Sequence, residues 1–371
     1  MIVAKAPGKI LWLGGYAVLE RPNIGFVTTV KEFVNVSLDA SDRFEISFRA
    51  LDDKISFKSI YDLDLSSIDP RYRIATSSVI TACSYLDSLG IRVTPFKIDS
   101  HNDKGFGYIA DRKGKIVRKT GLGASAAATV AIIAAIMYSY NIKDIETIHK
   151  LAQIAHSIAN GKIGSGFDVA AATYGSIVYT RFTPDLLKDI KEDNVRERVA
   201  DLVSKRWDYK IKRLSLSKIF RVALIMNKRG YSDTNDLVSK VFEFKKANSS
   251  LYNEIISLID YYDRRAIRAL SHIESNKTRF KYAFTAARLL TKLLGREAGV
   301  DIEDDKTTAL IESLEENGAF VARVPGAGGK DAIAALSISK SDYNRLKLFA
   351  KKKHLDLIEL ESYSKGFYVK Y

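Results

Sequence analysis

The chain has 371 residues and a formal net charge of +14, with 46% hydrophobic residues and one cysteine, Cys83. At roughly 150 residues per domain this length implies two domains, each able to bury a core, and the composition excludes a disordered, collagenous or disulfide-stapled chain. One cysteine and five scattered histidines build neither a disulfide framework nor a cysteine-based zinc site, so a reducing, cytoplasmic compartment is expected.

The start, Met1 to Lys9, has no charged region ahead of an apolar stretch and is not read as a secretory signal. The longest apolar run, Ala126 to Tyr138, falls short of the roughly 20 residues of a membrane span, so no membrane anchor is expected. Positive charge is spread along the chain in short clusters such as Lys351–Lys353, without aromatic residues gathered among them. That pattern favours small anionic ligands over nucleic acid.

In chain order, β-branched and aromatic runs predict strands over Ile2–Ala6, Ile10–Leu13, Phe26–Leu38 and Phe44–Phe48. A polar stretch, Asp52–Pro70, precedes a helix over Ile74–Leu89 that stops at Gly90. A strand at Phe96–Asp99 and a hairpin of Tyr108–Ala110 with Lys115–Lys119 lead into Gly121-Leu122-Gly123 and an Ala-rich helix to about Tyr140. Apolar residues at 145, 148, 151, 155 and 158 share one helical face and predict a helix over Asp144–Asn160. A glycine-rich turn and a short Ala-rich segment then lead to a strand over Ser176–Phe182.

The charged stretch Pro184–Lys205 is the expected domain boundary, giving units 1–185 and 186–371. Beyond it a strand is predicted over Ile219–Met226, and helices over Thr234–Ala247, Leu251–His272, Thr278–Ala298 and Thr307–Glu316. Strands near Phe320–Val324 and Ile333–Ile338, a helix over Ser341–Lys353 and closing strands complete the chain. Strands and helices without a regular βαβ array predict an α+β fold.

Three glycine-bearing loops carry the chemistry. Thr120-Gly121-Leu122-Gly123-Ala124-Ser125-Ala126 opens the Ala-rich helix; glycines bring backbone N–H groups near a ligand, and a helix N-terminus adds about half a positive charge. The run therefore suits phosphate, although Ser125 could equally be a plain helix cap. No Gly-Lys-Ser or Gly-Lys-Thr follows a glycine at Walker spacing. The G-x-G-x-x-A match lacks the strand-borne acid of a dinucleotide fold, since Asp144 opens a helix. In Gly164-Ser165-Gly166-Phe167-Asp168, the aspartate could cap the next helix, touch magnesium, orient a nucleophile or accept its proton. Val324-Pro325-Gly326-Ala327-Gly328-Gly329-Lys330-Asp331, alone, reads as a turn between strands.

Lys5-Ala6-Pro7-Gly8-Lys9-Ile10-Leu11, Gly121-Leu122-Gly123-Ala124-Ser125-Ala126-Ala127 and Pro325-Gly326-Ala327-Gly328-Gly329 resemble, in this order, the three motifs of the GHMP kinase superfamily, over nearly the whole chain. Gly14-Gly15-Tyr16-Ala17-Val18-Leu19-Glu20 stands where mevalonate kinases usually have Gly-Glu-His. It is similar to the phosphomevalonate kinase branch, as are Ala155-His156, Gly161–Ala172 and Ser232-Asp233-Thr234. The resemblance implies a two-domain fold, an N-terminal ribosomal-protein-like α+β domain and a C-terminal ferredoxin-like α+β domain, with ATP between them. It also implies phosphorylation of 5-phosphomevalonate with ATP and Mg2+, by a monomer or homodimer with no nucleic-acid partner. Mevalonate kinase is the nearest rival reading; a kinase-like sensor and a nucleic-acid-binding protein are more distant.

Carried onto this sequence, the motifs assign catalysis to Lys9, Asp168 and Lys162, and ATP binding to Lys119, Thr120, Gly121, Leu122, Gly123, Ala124, Ser125 and Ala126. Substrate binding falls to Gly15, Tyr16, Ser165, Gly166, Ser232, Gly326, Ala327, Gly328 and Gly329, and the metal to Ser125. Lys5, Arg73, Arg181, Arg229 and Arg288 are further cations that could reach an acidic substrate. Ser157 stands where mevalonate kinases have a magnesium-binding glutamate, so magnesium would be held mainly by ATP oxygens, Ser125 and water. A phosphate acceptor needs little help from a base, and Asp168 is expected to hold Lys9, position the acceptor or touch magnesium through water.

Overall fold

In the computed structural model, which describes residues 1–48, 53–60, 63, 68–110, 116–191, 193–226, 234–329 and 332–371, the start of the chain is one strand where the sequence pattern suggested two. Strand β1 (Ile2–Leu13) runs antiparallel to β2 (Gly25–Ala40), and its register slips between Pro7, opposite Phe33, and Gly8, opposite Val30. Proline has no N–H for a ladder, and a bulge is where a strand tolerates one.

β2 organises the first sheet. It pairs with β5 (Phe96–Asn102); β3 (Phe44–Phe48) lies parallel to β5, and β4 (Asp53–Phe57) is the far edge. Helix α1 (Arg73–Ser88) packs against α2 (Ala124–Ser139) and α3 (Ile145–Asn160), and α2 contacts both β1 and β2. Alanine, isoleucine and valine surround α2, so no polar face competes with burial, and its middle is enclosed on all sides. Between α1 and α2 the chain forms the small hairpin β6 (Tyr108–Ala110) and β7 (Ile116–Lys119). After α3, the short α4 (Phe167–Tyr174) leads to β8 (Ile177–Thr180) against the start of β2; α5 (Val195–Ser204) packs on α1, and β9 (Lys210–Arg213) pairs with β8.

The second sheet contains β10 (Arg221–Met226), β11 (Val321–Arg323), β12 (Ala332–Ser337) and β13 (Asp356–Leu360) in the order β11-β12-β10-β13, all antiparallel. Helices α6 (Thr234–Ala247), α7 (Ser249–Leu270), α8 (Ile273–Glu297) and α9 (Asp305–Glu316) separate β10 from β11, and α10 (Lys340–Lys352) separates β12 from β13. This is the split βαβ of ferredoxin-like folds. Successive β10 residues face opposite sides: Ala223 and Ile225 join a core with Ile311, Leu314 and Leu346, whereas Val222, Leu224 and Met226 join Phe280, Phe284 and Ala287.

Two features tie the halves together. The tail returns as β14 (Ser362–Tyr363) on β2 and β15 (Tyr368–Lys370) on β1. Tyr16 and Ala17, after β1, pack with Tyr252, Ile255, Ile256 and Ile259 of α7. The first motif is thereby held against the C-terminal helices.

Candidate active site

Lys9 follows directly from the bulge that Pro7 and Gly8 create in β1, and it faces the loop ahead of α2. Its N–H donates to the Leu122 carbonyl at 2.8 Å and its Nζ to the Gly121 carbonyl at 2.9 Å. The stem lies so close to Gly123, at φ +79°, that a Cβ there would come within 2.8 Å of Lys9 Cε and would have to displace the lysine. Lys9 is 8% exposed, and its ammonium lies 5.5 Å from the Phe167 ring centroid. Burial holds this ammonium below the ordinary lysine range, and the neighbouring Asp168 carboxylate pulls it back toward the charged form.

The helix that follows starts on a glycine. Gly123, at φ +79°, is the cap of α2 and offers no side chain, so Ser125 lies inside the first turn instead of capping it. The first-turn N–H groups are left without a capping side chain, in the geometry that binds anions. Ser125 is exposed, with its Oγ 3.5 Å from His156 Nε2. Thr120 is fully buried and bonded both ways to Gly107, accepting its N–H at 3.1 Å and donating to its carbonyl at 3.0 Å. Lys119 ends β7 beside it.

α4 repeats the arrangement. Its cap is Gly166, at φ +77°, and Asp168 sits within the first turn, its Oδ1 accepting the Val169 N–H at 2.9 Å. Gln153 fixes this loop by donating to the Gly166 carbonyl at 2.8 Å, while 3.0 Å from His149 Nε2. Ser165 is half-buried in the loop; Lys162, at its start, is exposed and lines a cavity of about 760 Å³. Arg73, Lys188, Lys191 and Arg196 add positive charge to that cavity, and Ile80, Ile163, Leu187 and Ile190 give it an apolar wall.

The third loop connects β11 to β12. Gly326, Gly328 and Gly329 all have positive φ, and a Cβ on Gly328 would lie 2.5 Å from Ile302 Cγ2. The loop is therefore pressed against the segment after α8, and the Gly329 N–H donates to the Ile302 carbonyl at 2.9 Å. Tyr16 Oη donates to the Ala327 carbonyl at 3.0 Å, which joins the first motif to the third, and Gly15 lies against Thr291 and Arg323.

Lys9, Gly121–Gly123 and Asp168 thus form one group, and Gly15, Tyr16 and Gly326–Gly329 another along the same chain segment. Ser232 and Lys330, like Arg229, lie outside the described residues. Arg181 and Arg288 do not present free cations to a ligand. Arg181 donates to the Leu19 carbonyl at 2.9 Å and the Ile163 carbonyl at 3.2 Å, pinning the second loop to the first turn; Arg288 pairs with Glu303 at 3.3 Å. Sequence reasoning missed Arg323, Gln153 and His149 altogether. A buried polar residue looks like a surface one in sequence, and only the proximity of Arg323 to the third motif hinted at it.

Residues 80–176 match the family model of the GHMP kinase N-terminal domain, and residues 280–355 that of the GHMP kinase C-terminal domain. Phosphomevalonate kinase of Saccharolobus solfataricus is 34% identical across 97% of this chain and 97% of its own. The chain belongs to the phosphomevalonate kinase family of GHMP kinases. The family fold is matched along its length: the Lin0012 protein of Listeria innocua aligns at TM-score 0.85 and 24% identity, covering 100% of this chain and 99% of that one. The Streptococcus pneumoniae phosphomevalonate kinase in complex with phosphomevalonate and AMPPNP aligns at TM-score 0.77 and 21% identity, over 98% and 100%. The two-domain α+β architecture expected from the motifs is the fold of this family. Among the described residues no helix is long and apolar enough to cross a membrane.

Proposed function

We propose that this chain transfers the γ-phosphate of ATP to the phosphate of (R)-5-phosphomevalonate, giving ADP and 5-diphosphomevalonate, a step toward isoprenoids. The observation that carries the reading is Lys9, a buried ammonium held by the carbonyl of one glycine loop and facing the aspartate of another. In the transfer, an acceptor phosphate oxygen forms the new bond to the γ-phosphorus. The bond from that phosphorus to the bridging oxygen breaks, and ADP leaves with the electron pair.

A phosphate monoester has its second pKa near 6, so at neutral pH the acceptor is mostly a dianion and no proton must first be removed. Repulsion between two anions is the main obstacle, and preorganised cations and N–H donors at the transferring group answer it. Lys9 supplies the cation, with Lys162 as a second. Asp168 keeps Lys9 charged inside its buried setting, a positioning role that fits its place better than that of an obligatory base. The triphosphate lies along the backbone of Gly121–Ala126, and the nucleoside extends into the cavity beside Ser157 and Lys162. The acceptor lies toward Gly15, Ser165, Gly166 and the third loop, whose shape Tyr16 maintains through Ala327.

Among the described residues no group of three or more histidine, cysteine or acidic side chains could hold a metal. The oxygen donors present, the Ser125 hydroxyl and the Asp168 carboxylate, nevertheless suit magnesium, which keeps several waters and takes further ligands from nucleotide phosphates. Magnesium bound there would neutralise phosphate charge. The free, buried Cys83 fits a reducing, cytoplasmic setting.

A coupled ADP-release assay with magnesium-ATP, run in parallel on mevalonate, 5-phosphomevalonate, homoserine and galactose, tests the reading. Turnover with 5-phosphomevalonate alone is expected. Turnover with mevalonate in its place would overturn the acceptor and restore Asp168 as a base.

A further inference from the structure

Arg323 ends β11, directly before the third glycine loop, and is 3% exposed. Its Nη1 donates to the Trp12 carbonyl at 2.6 Å and its Nε to the Val324 carbonyl at 3.3 Å. Trp12 lies at the end of β1, and Val324 opens the third loop. One guanidinium therefore grips the backbone on both sides of the gap between the first-motif turn and that loop. Gly15 reaches across the same gap: with φ +34°, a Cβ on it would lie 3.7 Å from Arg323 Nη2 and 3.3 Å from Thr291 Oγ1.

Burying a guanidinium is expensive unless it is paired and bonded. Here the Phe284 ring centroid lies 5.8 Å from it, and the fully buried carboxyl of Asp263 on α7 favours its charge when ionised. Burial pushes the Asp263 carboxyl up to about 8; Arg323, the Gly14 amide and Arg264 favour its charged form, whereas Asp260 opposes it. The Arg288–Glu303 pair also faces Arg323. An apolar side chain would close this part of the core at lower desolvation cost, but it would leave the Trp12 and Val324 carbonyls without this shared donor. Lysine cannot replace it, since a single ammonium lacks the planar fork that serves two carbonyl directions.

We infer that Arg323 is a positioning residue for phosphoryl transfer, setting the separation of the Gly14–Gly15 turn from the third glycine loop. The inference rests on the reading of those two segments as the acceptor side of the site. Because the ATP loop belongs to α2 and is held by Lys9, the inference separates the two substrates kinetically.

The test compares wild type, Arg323→Met, Arg323→Lys and Leu86→Ala in the ADP-release assay, with melting temperatures and titration by an ATP analogue to count competent sites. Leu86 is fully buried on α1, which packs on α2, α3 and α5 rather than on either segment, so its truncation reports instability alone. For Arg323→Met, kcat should fall and KM for 5-phosphomevalonate rise, lowering kcat/KM by roughly 10²-fold, with KM for ATP within about threefold of wild type. Arg323→Lys should show the same selective loss at smaller size, and it carries the test if the methionine variant does not fold. An unchanged acceptor KM in the folded variant, or a loss matching Leu86→Ala once sites are counted, would overturn the inference. Wild type silent on 5-phosphomevalonate would instead overturn the proposed reaction.

Discussion

The Lys9 ammonium donates to the Gly121 carbonyl at 2.9 Å, so this cation is fixed by the backbone of the glycine loop ahead of α2. Its stem also fills the space that the missing side chain of Gly123 leaves. Lys9→Met keeps most of the stem and removes the charge. Its kcat should fall by roughly 10²- to 10³-fold, the size expected for one preorganised electrostatic donor. KM for ATP should change little, and stability should drop by about 1 kcal/mol for the bond to Gly121. Steady-state kinetics and a urea titration check both numbers.

Asp168 and Lys9 make opposite predictions about pH according to the role of the aspartate. Burial lowers the Lys9 pKa and Asp168 raises it, so removing the carboxylate lets the ammonium lose its proton at a lower pH. If Asp168 positions Lys9, Asp168→Asn will lose activity on the alkaline side earlier than wild type. If Asp168 is a base, activity will recover as the pH rises past the second pKa of the acceptor, near 6. A kcat profile from pH 6 to 9 distinguishes them, and the alkaline loss is the expected result.

Most elements were legible because their pattern matches their burial. The Asp144–Asn160 periodicity appears as α3 with Asp144 as its cap, bonded to the Thr147 N–H at 2.8 Å. The helix placed from Thr278 begins in fact at Ile273, but Asn276 is non-helical at φ −125°, and the regular part starts after it. β4 and β9 were missed because Lys54, Lys210, Lys212 and Arg213 make short edge segments look like charged loops. The glycine loops were visible as motifs. What could not be read were the long-range partners: nothing in the sequence places Arg323 against Trp12, 311 positions away, or Gln153 against Gly166.

Buried His149 makes a stability prediction with a definite sign. Burial depresses its pKa to about 3, so the folded state keeps it neutral while the unfolded chain takes up a proton below about 6.5. The unfolded state then binds more protons, and the His149 contribution to stability is lost as pH falls from 6.5 toward 3. Asp263 and Glu32, with raised values of about 8 and 7, act in the opposite direction. They are present in both proteins of a comparison, so they cancel. His149→Gln should be less stable than wild type at pH 7, and the difference should shrink by about 2 kcal/mol at pH 5. Urea midpoints at the two pH values give the measurement; a constant difference would contradict the buried, neutral state.

At the tail, Gly366 lies against α4 so closely that a Cβ would sit 1.9 Å from the Thr173 carbonyl oxygen. The next residue, Phe367, donates its N–H to the Ala172 carbonyl at 2.8 Å. Gly366→Ala must push the tail away from α4, with an overpacking cost of about 1–3 kcal/mol. Loss of β15 pairing should then make the C-terminal segment a preferred site of limited proteolysis, while Gly90→Ala, where a Cβ meets nothing within 4 Å, should leave the tail protected.

Tyr16 offers the most selective probe of how the first and third motifs communicate. It is 2% exposed, packs with Tyr252 and Ile255, and its hydroxyl makes one bond, to Ala327 of the third loop. Tyr16→Phe removes that hydroxyl and keeps the ring, so packing survives while the Ala327 carbonyl loses its donor. The stability cost should be about 1 kcal/mol, the usual net worth of a neutral hydrogen bond. The kinetic effect should fall on the acceptor: KM for 5-phosphomevalonate should rise roughly five- to tenfold, since about 1.4 kcal/mol corresponds to a factor of ten. KM for ATP should stay within twofold, because the phosphate loop takes its shape from Lys9 and not from Tyr16. Equal changes in both constants would show that the third loop acts on the whole cleft rather than on the acceptor side.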